Sequence, residues 1–156
     1  MDTARNSTDT REQKPRLLGI NHIALEVDDL EAALAFYSRV FEFTLRGRQK
    51  GMAFIDLGDQ FLALAEGRSQ SPDTQRHFGL VVDDRQSLRQ KLDALGVKLL
   101  PGLGLDFLDP WGNRVQVVQY RDIQFTKASQ VLKGMGLANI GKSATALQEL
   151  AAKGMR

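Results

Sequence analysis

Apolar and polar positions change period along this chain, and the changes mark its elements. From His22 to Val27 they alternate, with Ile23, Leu25 and Val27 on one face and His22, Ala24 and Glu26 on the other. This is the period-two signature of a strand with one buried face. The period then lengthens. Leu30, Ala33, Leu34, Tyr37, Val40 and Phe41 make one stripe at helical spacing, which predicts an amphipathic helix. Asp28 with Glu31 has the spacing of a carboxylate capping box at its start. Short strands follow over about 43–48, 51–57 and 60–66, with Gly58-Asp59 turning the last hairpin.

The same succession then returns. His77–Val82 alternates, Leu88, Leu92 and Leu95 make a stripe, Asp83 with Gln86 repeats the capping spacing, and Gly96 suits a helix C′ position. Strands are predicted over about 97–100, 103–108 and 113–120, with Gly112-Asn113 at the hairpin. Residues 22–29 align with the segment beginning at His77 at an offset of 55, and five of eight positions are identical. FIDLGDQFLAL from Phe54 aligns with FLDPWGNRVQV from Phe107 at an offset of 53, Asp56 meeting Asp109. The reading is a βαβββ unit present twice, at 22–66 and 77–120, joined by the linker GRSQSPDTQR. Such a repeat implies that one unit cannot bury its core alone. Residues 1–16 are polar and predict a flexible tail.

Composition removes several chemistries. The 156 residues include no cysteine, which excludes disulfides, thiolate-bound zinc, iron–sulfur clusters and a thiol nucleophile. Two histidines forbid a three-histidine site. No run of about 18 apolar residues exists to span a membrane, and the N-terminus lacks the apolar core of a secretory signal. The expected location is cytoplasmic. A net charge of +2 gives little reason to expect a nucleic-acid partner.

NHIALEVDDLEAALAFYSRVFEF, RHFGLVVDD and FLDPWGNRVQVV together resemble the vicinal oxygen chelate superfamily, which holds the glyoxalase, bleomycin-resistance and extradiol-dioxygenase proteins. The resemblance covers about residues 18–120, within a domain drawn at 17–120. It implies an α+β fold in which two βαβββ units curl into a U-shaped trough that often holds a divalent metal. It implies the reaction only weakly, because isomerases, lyases, dioxygenases, thiol transferases and metal-free binding proteins share the fold.

Carried over residue by residue, the ligand positions of the family are His22, Ala63, His77 and Gln116. Ala63 cannot bind a metal, and Gln116 offers a neutral amide oxygen where a carboxylate is commonest. Imidazole suits first-row metals, so Zn, Ni, Mn or Fe are the candidate ions. Glu26 shares the strand face of His22 and is the candidate catalytic base, the structural alternative being a salt bridge to Arg114. Phe61, Arg114 and Trp111 are candidate substrate contacts. Arg46, Arg48 and Lys50 make a basic hairpin that could guide an acidic substrate or simply be a solvated turn.

Residues 121–156 predict a helical extension, with Leu147 and Leu150 buried. It would lie on the sheets, across the trough mouth or on a second copy, and its apolar stripe points to a homodimer. Gly136–Ser143, GLANIGKS, fits the P-loop pattern. It lacks a credible preceding strand and leaves too little chain for a parallel sheet, so no nucleotide is expected and Ser143 is read as a helix N-cap.

Two function classes stay open on the sequence. One is a metal-dependent lyase, isomerase or dioxygenase acting on a small molecule. The other is a metal-free small-molecule binding protein of the bleomycin-resistance type.

Overall fold

The computed structural model describes residues 15–155; nearly all of the predicted tail lies outside them, as does Arg156. Strand β1 (His22–Val27) leads into helix α1 (Leu30–Val40), followed by β2 (Leu45–Gln49), β3 (Met52–Asp56) and β4 (Phe61–Glu66). The second half runs β5 (Phe78–Val82), α2 (Arg85–Ala94), β6 (Leu105–Leu108) and β7 (Arg114–Gln119). A 3-10 turn at Tyr120–Asp122, α3 (Ser129–Gly134) and α4 (Ala144–Ala152) complete the chain. The α+β class is as expected.

Two sheets form, ordered β1-β4-β3-β2 and β5-β7-β6. In each, the opening strand lies parallel to the last, which lies antiparallel to the one before it. The registers correspond: Ile23 faces Leu62 as Phe78 faces Val115, and Ala24 faces Ala63 as Gly79 faces Gln116. The expected strand at 97–100 is a departure. It is reduced to one bridge, Leu99 to Phe107. Pro101 follows at once and cannot donate to a ladder, and Gly102 and Gly104 extend the interruption.

Both helices begin one residue later than the capping-box spacing suggested. Asp29 Oδ1 accepts from Ala32 N at 2.7 Å, and Asp84 Oδ1 accepts from Gln86 N and Ser87 N at 3.0 Å each. Either aspartate of each Asp-Asp pair could cap; the one that does is set by where the strand lets go. At its C-terminus α2 passes into Gly96, whose φ of 67° fits the glycine read there.

The buried stripe of α1 packs on Leu25, Val27, Ala53, Ile55, Leu62 and Leu64. A second cluster joins Leu88 and Leu92 of α2 to Leu105, Phe107, Val115 and Val117. Phe36, Phe41 and Phe78 pack against both clusters, so the halves share a core. A buried polar network adds to it. Asp109 Oδ2 accepts from the Tyr37 hydroxyl and from Asn113 Nδ2, both at 2.8 Å, while its Oδ1 accepts from the backbone of Trp111 and Asn113. Asn113 Nδ2 also donates to the Glu26 carbonyl at 3.0 Å. The final turn of the second half is thereby bound to β1 and α1 of the first.

The extension departs from expectation in part. Its α-helices cover only Ser129–Gly134 and Ala144–Ala152, and Leu147 is 54% exposed while Ala146 is fully buried. Lys142 stands just ahead of α4. Its ammonium donates to the carbonyls of Tyr120, Ile123 and Phe125 and lies 3.4 Å from the centroid of the Tyr120 ring. The P-loop-like segment therefore forms the connection between α3 and α4, its lysine already engaged, and Ser143 caps α4 as expected. At Gly58 a Cβ would come within 2.7 Å of Met135 Sδ and 2.9 Å of Val131 Cγ1, so α3 sits hard against the β3–β4 turn. Lys127 pairs with Asp59 in that turn. Among the described residues no helix is long and apolar enough to cross a membrane.

Candidate metal centre

Strand alternation leaves one face of the first sheet free of α1. The β1–β4 register sets His22 opposite Phe61 and Ala24 opposite Ala63 on that face. His22 is exposed, and its ring stacks on Phe61 with centroids 4.6 Å apart and planes 10° from parallel. Its Nδ1 lies 2.9 Å from Asn21 Oδ1. A carbonyl oxygen only accepts, so the neutral ring takes its proton on Nδ1 and leaves the Nε2 lone pair free.

The second sheet repeats this. His77, expected to open the strand, stands just ahead of β5, exposed, with Nδ1 2.9 Å from the Gln75 carbonyl. The same argument leaves its Nε2 as the unprotonated donor. Gln116 faces Gly79 on β5 and Asp106 on β6. Its Nε2 donates to Asp106 Oδ1 at 3.4 Å, which leaves Oε1 as the amide's remaining donor atom. All three candidate ligands thus have one polar atom anchored and the metal-competent atom spare, the outer-sphere arrangement that orients ligating side chains. The donor set suits a divalent first-row ion but contributes no negative charge.

Ala63 is buried and inert, as its side chain requires. Glu26 does not pair with Arg114. Its carboxylate accepts from the backbone N–H of Ser69 at 3.0 Å, and that bond holds its pKa below the ordinary range. Arg114 instead binds Asp106 Oδ2 through Nε at 3.1 Å and Nη2 at 2.7 Å, and donates to the Thr74 carbonyl. Phe61 is half-buried between the His22 ring and the edge of Phe54, with Arg46 5.0 Å from its centroid. Trp111 packs edge-on to Phe36 of α1 at 6.2 Å, which places it with the core cluster beneath that helix. The basic hairpin is dispersed: Arg46 pairs with Asp56, and Arg48 reaches Glu31 on α1.

Asp106 escaped the sequence reading. An acidic residue inside the apolar run LGLDFL is the signal that could have found it, since alternation turns it away from Leu105 and Phe107. It is 6% exposed.

His22 and His77 stand at the outermost strands of two different sheets, and among the described residues no strand pairing joins those sheets. Nor do three or more His, Asp or Glu converge on one point among those residues.

The profile of the Glyoxalase/Bleomycin resistance protein/Dioxygenase superfamily matches residues 19–117, the span that holds both histidines and Gln116. The chain belongs to this superfamily. Metallothiol transferase FosB of Bacillus licheniformis is 29% identical over 116 residues, covering 65% of this chain and 75% of that protein. Glutathione transferase FosA of Serratia marcescens is 28% identical over 113 residues, covering 65% and 80%. The fold is shared with the fosfomycin resistance protein FosX of Listeria monocytogenes, solved with Mn(II) and sulfate, at a TM-score of 0.58 and 20% identity over 77% of this chain and 99% of that one.

Proposed function

We propose that this protein is a metal-dependent enzyme that transfers a thiol to a small, oxygen-rich molecule, with His22, His77 and Gln116 as the protein ligands of the ion. One observation carries the reading: each of these side chains is tethered through the atom a metal does not need. When bound, a divalent ion supplies Lewis-acid polarisation of a substrate oxygen. Two neutral imidazoles and an amide leave its charge undiminished, which favours polarisation over tight retention.

Thiol transfer suits the remaining residues better than isomerisation. An isomerase needs a protein base to carry a proton between carbons. Here Glu26 is tied to Ser69 and Asp106 to Arg114. A thiol brings its own nucleophile: its sulfur bonds to a carbon of the acceptor as a C–O bond of that carbon breaks, and the freed oxygen takes up the proton the sulfur gives up, so the chain has only to bind and orient the two reactants. Phe61 offers an apolar wall beside His22. The relatives named as thiol transferases, at 28–29% identity, support the same class.

The protein acts as a homodimer in this reading. Among the described residues β1 and β5 each have an unpaired outer edge, and the histidines stand at the heads of those edges. Leu17, Leu18 and Ile20, leading into β1, are exposed and available to be covered.

The test is calorimetric titration of purified protein with Mn, Ni, Zn and Fe(II), followed by a thiol-consumption assay with the loaded protein. Stoichiometric binding that His77→Ala abolishes is the expected result. If none of the four ions binds, the metal-free binding-protein reading takes its place.

A further inference from the structure

We propose that Asp106 is the positioning residue of Gln116: held from behind by Arg114, it fixes the amide with its nitrogen inward and its oxygen toward the open face of the sheet. The inference rests on Gln116 as a ligand only for its functional consequence; the pairing itself can be tested without metal.

A primary amide has two ends of nearly equal shape, and nothing intrinsic to glutamine decides which faces a site. A carboxylate beside it does. Asp106 Oδ1 lies 3.4 Å from Gln116 Nε2; with the amide reversed, two oxygens would face each other. The carboxylate cannot swing away, because Arg114 grips Oδ2 with two nitrogens at 3.1 and 2.7 Å. It is also largely shielded, with a side chain only 8% exposed, so little water competes for the contact.

Gly104 adds an independent observation. Its φ is not in the left-handed region, so backbone conformation does not require glycine there. A Cβ at this position would come within 2.9 Å of Asp106 Oδ1 and 3.6 Å of Gln116 Nε2. The space a side chain would fill is the space that the Asp106–Gln116 pair uses.

The arrangement gives a reason for the amide at position 116. A glutamate there would set a second carboxylate against Asp106, and like charges at that separation in a half-buried place repel. The neutral residue keeps the oxygen donor and accepts the neighbour's charge as a fixed restraint.

The test has two arms. In metal-free protein, the side-chain NH2 resonances of Gln116 are assigned by NMR using Gln116→Ala. They should be shifted from free glutamine values in the wild type and collapse toward them in Asp106→Asn and in Gly104→Ala. If Asp106→Asn leaves them unmoved while the backbone spectrum shows a folded chain, the proposal is overturned, whatever metal does. In the second arm, Mn and Ni affinity is measured for the same variants. Removing an outer-sphere partner costs roughly ten- to a hundredfold in affinity, and Asp106→Asn should fall in that range. A complete loss in Asp106→Asn with no loss in Gln116→Ala would make Asp106 a ligand itself and overturn the positioning role. Wild type that binds no ion would sink the metal-enzyme reading alone, since the first arm still decides the pairing.

Discussion

Asp109 is the most heavily bonded carboxylate of the molecule's interior, and the Tyr37 hydroxyl is its one contact with α1. Burial, reinforced by the adjacent negative charge, pushes the Tyr37 phenol well above its usual pKa, so it remains a donor at neutral pH. Tyr37→Phe removes only that oxygen and keeps the ring packing. A hydrogen bond to a charged group contributes about 1.5–3 kcal/mol. Urea denaturation of Tyr37→Phe should show a loss in that range with an unchanged m-value. A loss under about 0.5 kcal/mol would mean that Asp109 is satisfied without the tyrosine.

Two of the polar contacts that hold the C-terminal extension are of different kinds, and they respond to different perturbations. At Asp59 the hydrogen bond from Lys127 comes first among the causes that hold the carboxyl below its ordinary pKa. The folded value lies below the unfolded one, so this stabilisation is complete above the normal carboxylate range and is lost as pH falls through it. Wild type should therefore lose melting temperature relative to Asp59→Asn between about pH 5 and pH 3; parallel curves would show the pair to be unimportant. The second contact is the Lys142 ammonium among the carbonyls of Tyr120, Ile123 and Phe125. Lys142→Met removes the donor while keeping most of the stem. Hydrogen exchange should accelerate in α4 and in residues 120–125 and stay slow in β4 and β7. Unchanged exchange in α4 would assign its docking to Ala146 packing and to the contacts of Gln124 with Glu149 and Lys153.

At the scale of the whole molecule, the separation of the sheets decides how a two-histidine centre can be completed. If His22 of one copy meets His77 and Gln116 of another, a mixed dimer of His22→Ala and His77→Ala chains retains one site with every ligand. Each variant alone should bind no ion, and a refolded equimolar mixture should recover part of the wild-type capacity. A mixture that stays inert while running as a dimer in sedimentation would place the centre within single chains.

Much of this was legible in the chain. Periods of two and near four are local consequences of strand and helix geometry, so the order of most elements, the buried faces and the shared strand face of His22 and Glu26 could be read from residues 22–120. The family resemblance rests on phrases of that same span. What could not be read are choices between locally equivalent options. Asp28 and Asp29 are equally able caps. Leu147 and Ala146 are adjacent on one turn, and helical period alone does not say which of them faces the fold; the smaller does. The strand expected at 97–100 needed a partner along its length and found it only at Phe107. Arg114 chose Asp106 over Glu26 because β6 and β7 are neighbours in the sheet whereas β1 belongs to the other one. Side-chain type and period are properties of the chain; the partner of a charge is a property of which strands lie side by side, and only the tertiary structure decided that.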